Sequence, residues 1–177
     1  KKVFLDLKLH DIPNTMAKAM ESLSALPIGM LTLHAHAGEE ALIRCAQTGK
    51  EILPETLLLA VAVLTSMDQN ALSSVGVQSP VIEQVERLAK VATQSEIGGI
   101  VCSPHELVHL RTCLPAEIQM VTPGIRPAGS AVGDQKRIMT PAQAKQAGAD
   151  YLVIGRPILA AENPADALDS ILEEMQS

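Results

Sequence analysis

The sequence predicts an α/β protein built on a parallel sheet. Three observations carry this reading. Short apolar runs alternate with amphipathic stretches along the whole chain. Most of the runs are near-continuous rather than alternating, as suits strands covered on both faces. Proline stands near the start of the amphipathic stretches and glycine near their ends, where helices tolerate them best.

Taken in order, the first strand is read over Val3–Leu7, with a helix over Pro13–Leu26 that carries proline in its first turn. A second strand, Met30–His34, leads to a helix Glu39–Thr48 stopped by Gly49. The third, Leu57–Leu64, leads to a helix Ser79–Ser95, capped by Ser79 with Pro80 at its first position. The fourth, Gly99–Cys102, precedes a helix Pro104–Cys113. The fifth, Gln119–Val121, runs into the irregular stretch Thr122–Thr140 and a helix Pro141–Ala147 closed by Gly148. The sixth, Tyr151–Ile154, ends at Gly155-Arg156, which opens a short helix, and Pro164–Met175 completes the set. No linker or low-complexity segment divides residues 1–177, which read as one domain of about six βα units.

Alternation of this kind admits an open doubly wound sheet or a barrel, and both place chemistry at the carboxyl ends of strands. Polar residues follow most of them. Asp6, Lys8 and Asp11 follow the first, His34 and His36 the second, and Thr65 and Ser66 the third. Gly124 and Arg126 follow the fifth, and Gly155 and Arg156 the last. A functional face drawn from so many strands favours a TIM-type (β/α)8 barrel over a single crevice.

Composition narrows the partners. With 47% hydrophobic and 19% charged residues the chain can bury a core, which excludes disorder. One Phe, one Tyr and no Trp leave almost nothing to stack on bases. A net charge of -6 disfavours nucleic acid and anionic membrane, while leaving room for a local cationic pocket for a small phosphorylated ligand. Cys45, Cys102 and Cys113 form an odd set without CxxC and read as reduced thiols of a cytoplasmic protein. No apolar run approaches the ~20 residues of a membrane span, and no signal peptide is visible. The chain lacks an initial Met and opens directly into a strand-like run, as a chain missing its beginning would.

The strongest local signal runs from Phe4 to Thr15. Asp6 and Lys8 are two apart and so point to one side of a strand. Inside a barrel such charges must be paired. The cluster reads either as a structural salt bridge at a barrel end or as a proton-donating lysine held charged by flanking carboxylates. Near the chain's end, Gly155 and Arg156 at a helix start suit a phosphate dianion. Arg126 and Arg156 fall after the last two strands, where barrels hold phosphate. The loop Arg126–Arg137 has Gly129 and Gly133 as hinges and Gln135 as donor and acceptor, so it is placed to close over a ligand. Two further patterns are weak. His105-Glu106-Leu107-Val108-His109 matches the zinc-protease spacing, and His34-Ala35-His36 a barrel metal pair, but each lacks the further ligands such sites need.

The pattern Asp6-x-Lys8-x-x-Asp11 continues as Asp11-Ile12-Pro13-Asn14-Thr15. With Leu33-His34-Ala35, Val63-Leu64-Thr65-Ser66, Val121–Pro127, Gly133-Asp134-Gln135 and Ile154–Pro157, it resembles the bacterial type of the orotidine 5′-phosphate decarboxylase family. The resemblance covers essentially the whole chain in the family's order, starting at the family's third strand. The first two βα units, with a ribose-contacting Asp and a Lys of the catalytic network, have no counterpart in it. The resemblance implies decarboxylation of orotidine 5′-monophosphate to UMP in de novo pyrimidine biosynthesis, without cofactor or metal. Lys8 would protonate C6, with Asp6 and Asp11 as the other catalytic residues. Ile12, Thr15, Thr65, Arg126, Gln135, Gly155 and Arg156 would join those three in binding substrate, and His34 and Pro123 would wall the site. It further implies a cytoplasmic homodimer with shared sites, Asp11 and Thr15 entering the partner's, and neither nucleic acid nor membrane as partner. The alternatives are a Mg²⁺-dependent sugar-phosphate decarboxylase or aldolase of the same superfamily, and a non-catalytic barrel fragment. The 177 residues alone are expected to be inactive or nearly so.

Overall fold

A computed structural model describes residues 2–127 and 138–175. Six strands, β1 (Val3–Leu9), β2 (Ile28–His34), β3 (Leu57–Val61), β4 (Gly99–Val101), β5 (Gln119–Thr122) and β6 (Tyr151–Leu152), form one sheet. All pair in parallel, in the order of the sequence from β1 to β6. The order never reverses, so there is no switch-point crevice, and every crossover steps the sheet the same way. Val3 and Phe4 of β1 line one cavity together with Tyr151 and Leu152 of β6. The sheet is therefore rolled, with its first and last strands facing one another, as the barrel reading expects. Among the described residues, β1 and β6 each have one edge without a strand partner.

The helices are α1 (Pro13–Leu23), α2 (Glu39–Ile52), α3 (Gln69–Ser74), α4 (Val81–Gln94), α5 (Leu107–Cys113), α6 (Pro141–Gln146), α7 (Arg156–Leu159) and α8 (Pro164–Glu174). Burial explains where most of them sit. Leu31, Leu33, Ala60, Ile100 and Met120 on the outer face of the sheet pack with Met16 and Met20 of α1, Leu42 and Cys45 of α2, Val85 of α4 and Leu110 of α5. Leu59, Val61 and Val121 are buried on the inner face. There β4 begins with glycine for a steric reason. A Cβ at Gly99 would lie 2.6 Å from Leu59 Cδ2 and 2.8 Å from the Gln119 carbonyl oxygen.

The boundaries differ from the sequence reading in instructive ways. Gly49 does not stop α2, which runs on to Ile52. It is buried, and a Cβ there would lie 2.8 Å from Leu58 Cδ1 and 3.5 Å from Met20 Cε, so glycine serves close packing rather than termination. Gly148 does follow the end of α6 as expected, at φ 103°. The helix expected from Ser79 starts at Val81, with Pro80 rather than Ser79 at the cap position. The expected helix Pro104–Cys113 is a 3-10 turn, Pro104–Glu106, leading into α5. Short α3 was not anticipated. Six residues carry too little periodicity to show, although Asp68 caps it by accepting the Ala71 N–H at 3.0 Å. β3 ends at Val61 rather than Leu64, and β6 at Leu152 rather than Ile154.

Candidate active site

The charged cluster forms where β1 departs from regular geometry. Leu5 pairs with Leu31 and Leu9 with Leu33, so four steps along β1 match two along β2. This irregularity takes up Asp6, Leu7 and Lys8, and Lys8 adopts φ 51°, in the left-handed region. Simple alternation is therefore not what joins Asp6 to Lys8; the bulge does. Thr32, fully buried on β2, fixes both residues. Its Oγ1 donates to Asp6 Oδ1 at 2.8 Å and accepts the Lys8 N–H at 2.9 Å. Lys8 Nζ donates to the other Asp6 oxygen at 2.5 Å.

Magnitudes separate the structural reading from the functional one. The two side chains are 40% and 46% exposed. An ion pair that open contributes at most about 1 kcal/mol. Left-handed backbone at a non-glycine residue costs about 1–3 kcal/mol. The ion pair alone does not offset the backbone cost; the two hydrogen bonds of buried Thr32 hold the ammonium and the carboxylate in one orientation.

Asp6 and Lys8 open into a cavity of about 160 Å³ at the carboxyl ends of the strands. Its apolar walls include Val61, Val63, Val101 and Cys102, and Thr65 and Pro123 complete its rim. The ammonium therefore borders an apolar wall on one side while remaining part-exposed on the other. A larger cavity of about 410 Å³ lies at the amino ends, beside Lys2, Gly29 and Tyr151, and does not include the charged pair.

His34 ends β2, with its ring centroid 5.1 Å from His10 and 5.2 Å from His36. Burial first, then the charges of His36, His10 and Lys8, push its pKa down to about 4. His36 is also lowered, by burial and then by His10. His34 therefore stays neutral beside Lys8 at neutral pH and adds no second cation. It is not among the residues lining the 160 Å³ cavity.

The other expected site residues fall into four groups. Asp11, Ile12 and Thr15 are exposed. Asp11 Oδ1 accepts the Ile12 N–H at 2.7 Å, and its contact with Lys8 is not formed within the chain. Gly155 and Arg156 lie exposed where β6 gives way to α7, at the same end of the sheet as the cavity. Arg126 is buried, with its Nη1 donating to the Ile125 carbonyl at 2.8 Å. Gln135 lies outside the described residues, as does most of the expected closing loop. The zinc-protease spacing is excluded by geometry. Glu106 is buried and its Oε2 accepts the Ser103 N–H at 2.8 Å, so it caps a turn and cannot serve as a base.

Sequence reasoning missed Thr32. The signal was a lone hydroxyl inside the apolar run from Met30 to Leu33.

A rolled parallel sheet that holds a lysine–aspartate pair over a small cavity at its carboxyl mouth defines a βα-barrel enzyme. The chain belongs to the orotidine 5′-phosphate decarboxylase / HUMPS family, whose profile matches residues 1–171. It is 52% identical over 175 residues to an orotidine 5′-phosphate decarboxylase of Opitutus terrae, covering 99% of this chain and 76% of that protein. It is 51% identical over 173 residues to one of Pseudoalteromonas atlantica, covering 96% of this chain and 74% of that one. Among solved structures, the orotidine 5′-phosphate decarboxylase of Lactobacillus acidophilus matches with a TM-score of 0.84 at 36% identity, over 99% of this chain and 76% of that chain.

Proposed function

We infer that the protein decarboxylates orotidine 5′-monophosphate to UMP, as a carbon–carbon lyase of pyrimidine biosynthesis. The observation that carries this is the Asp6–Thr32–Lys8 cluster at the mouth of a barrel of this family. When the bond from C6 to the carboxylate breaks, its electron pair stays on C6 and CO₂ leaves. Lys8 stabilises that charge as an ammonium and then gives C6 a proton from Nζ. Asp6, beside the substrate carboxylate, raises the energy of the bound ground state relative to a transition state in which that carboxylate is losing its charge.

In this reading Thr65 hydrogen-bonds the pyrimidine and Pro123 bounds the site, while His34 stands outside the cavity lining. Gly155, Arg156, Arg126 and Gln135 serve the phosphate, whose binding energy orders the site far from the reacting carbon. The protein acts as a cytoplasmic homodimer, with one barrel domain per chain. Asp11, Ile12 and Thr15 complete the partner's site, which their exposure supports. Neither nucleic acid nor membrane is a partner. Among the described residues no helix is long and apolar enough to cross a membrane.

The test is turnover of orotidine 5′-monophosphate by the full-length protein in EDTA. Undiminished activity is expected. Activity lost in EDTA and restored by Mg²⁺ would favour the metal-dependent sugar-phosphate branch of the superfamily instead. The phosphate grip has its own check. Arg156→Ala is expected to weaken UMP about 10- to 100-fold, the worth of one charge-assisted contact, while leaving uridine nearly unchanged. Equal losses for both would remove Arg156 from the phosphate.

A further inference from the structure

We propose that Glu86, His109 and Cys113 form a site for a zinc-type divalent ion that clamps α4 to α5 on the outside of the barrel. His109 and Cys113 are one helical turn apart on α5 and share a face, and Glu86 meets them from α4. One ligand atom from each lies within 4.8 Å of the other two. His109 Nε2 is 2.6 Å from Glu86 Oε2. Ligands about 2.0–2.3 Å from a tetrahedral zinc stand about 3.3–3.8 Å from one another. Glu86 and His109 need only part by under about 1 Å, and Cys113 gives up its Sγ contact with the Leu110 carbonyl at 3.6 Å, both within the reach of side-chain rotation.

The surroundings fit an ion. Glu86 and His109 are 27% and 41% exposed, so a fourth position is open to water. The other carboxylate oxygen of Glu86, Oε1, is bonded to Lys90 Nζ at 2.5 Å. Lys90 can keep that bond and orient the carboxylate from behind while Oε2 takes the metal. A thiolate, an imidazole and a carboxylate together select zinc over magnesium or calcium. On binding, Cys113 gives its thiol proton to solvent and His109 uses the Nε2 lone pair. The thiol is held above its ordinary pKa by burial and then by the Glu86 charge, and a divalent ion reverses the second of these. The site takes His109 from the zinc-protease spacing and leaves out His105 and Glu106.

The reduced protein is titrated with Zn²⁺ alone, and with Co²⁺ as a spectroscopic probe. A single ion per chain, proton release and a thiolate-to-cobalt charge-transfer band are expected. Cys113→Ser should abolish the band, and Glu86→Gln and His109→Gln should each weaken Zn²⁺ at least about tenfold. His36→Gln should leave binding unchanged. Absence of stoichiometric binding, or a band that survives Cys113→Ser, would overturn the proposal and leave an ordinary Glu86–His109–Lys90 ion-pair cluster. Binding lost only in His36→Gln would overturn it in favour of the His10–His34–His36 group.

Discussion

Lys8→Ala in full-length subunits is expected to abolish decarboxylation while UMP still binds. No other ammonium lines the cavity among the described residues, so the charge at C6 loses both its partner and its proton source. The fold should survive the change. Thr32 still donates to Asp6 Oδ1, and the main-chain N–H of residue 8 still reaches Thr32. The lost ion pair is too exposed to matter much for stability. Melting temperature and UMP affinity near those of the parent, with turnover gone, would separate a chemical role from a structural one. Turnover within about tenfold of the parent, under roughly 1.4 kcal/mol of barrier, would remove Lys8 as the proton donor.

Mixed dimers provide the second large effect. Asp11 stands on the exposed turn between β1 and α1, engaged only by its neighbour's N–H among the contacts described. If it serves the partner's site, homodimers carrying Lys8→Ala or Asp11→Ala are both dead. In a heterodimer of the two, the barrel of the Lys8→Ala subunit lacks its lysine and also receives the mutated residue. The barrel of the Asp11→Ala subunit keeps Lys8 and receives an intact Asp11. One site of two is then alive, so exchange should restore up to about half the per-site activity in each heterodimer. Heterodimers shown to form, yet without activity, would put Asp11 back in its own subunit.

Much of this molecule is legible in its sequence. The alternation of apolar runs with proline-started, amphipathic stretches specifies six parallel units, because strands covered on both faces need continuous apolar residues and helices need one apolar face. The pairing of Asp6 with Lys8 is also legible in sequence, since two opposite charges two residues apart on a strand share a side. The route to it does not. Regular alternation predicts the same two neighbours that the bulge at Lys8 and the hydroxyl of Thr32 deliver, and only the register against β2 tells the two apart.

Glycine shows the same limit. Gly49 reads as a stop signal, yet it lies inside α2, where a Cβ would meet Leu58 Cδ1 at 2.8 Å. The zinc-protease spacing fails in the same way. Its glutamate is turned inward to cap Ser103, while His109 faces Glu86 on a neighbouring helix 23 residues earlier. The sequence by itself determined the class of fold, the polar residues that stand at the strand ends and the family. The tertiary structure decided the bulge at Lys8, the threonine that holds it, the exposure of Asp11 and the meeting of Glu86, His109 and Cys113. Local pattern is set by hydrogen bonding and burial along the chain, whereas contacts between residues far apart in sequence depend on how neighbouring elements register and how closely they approach.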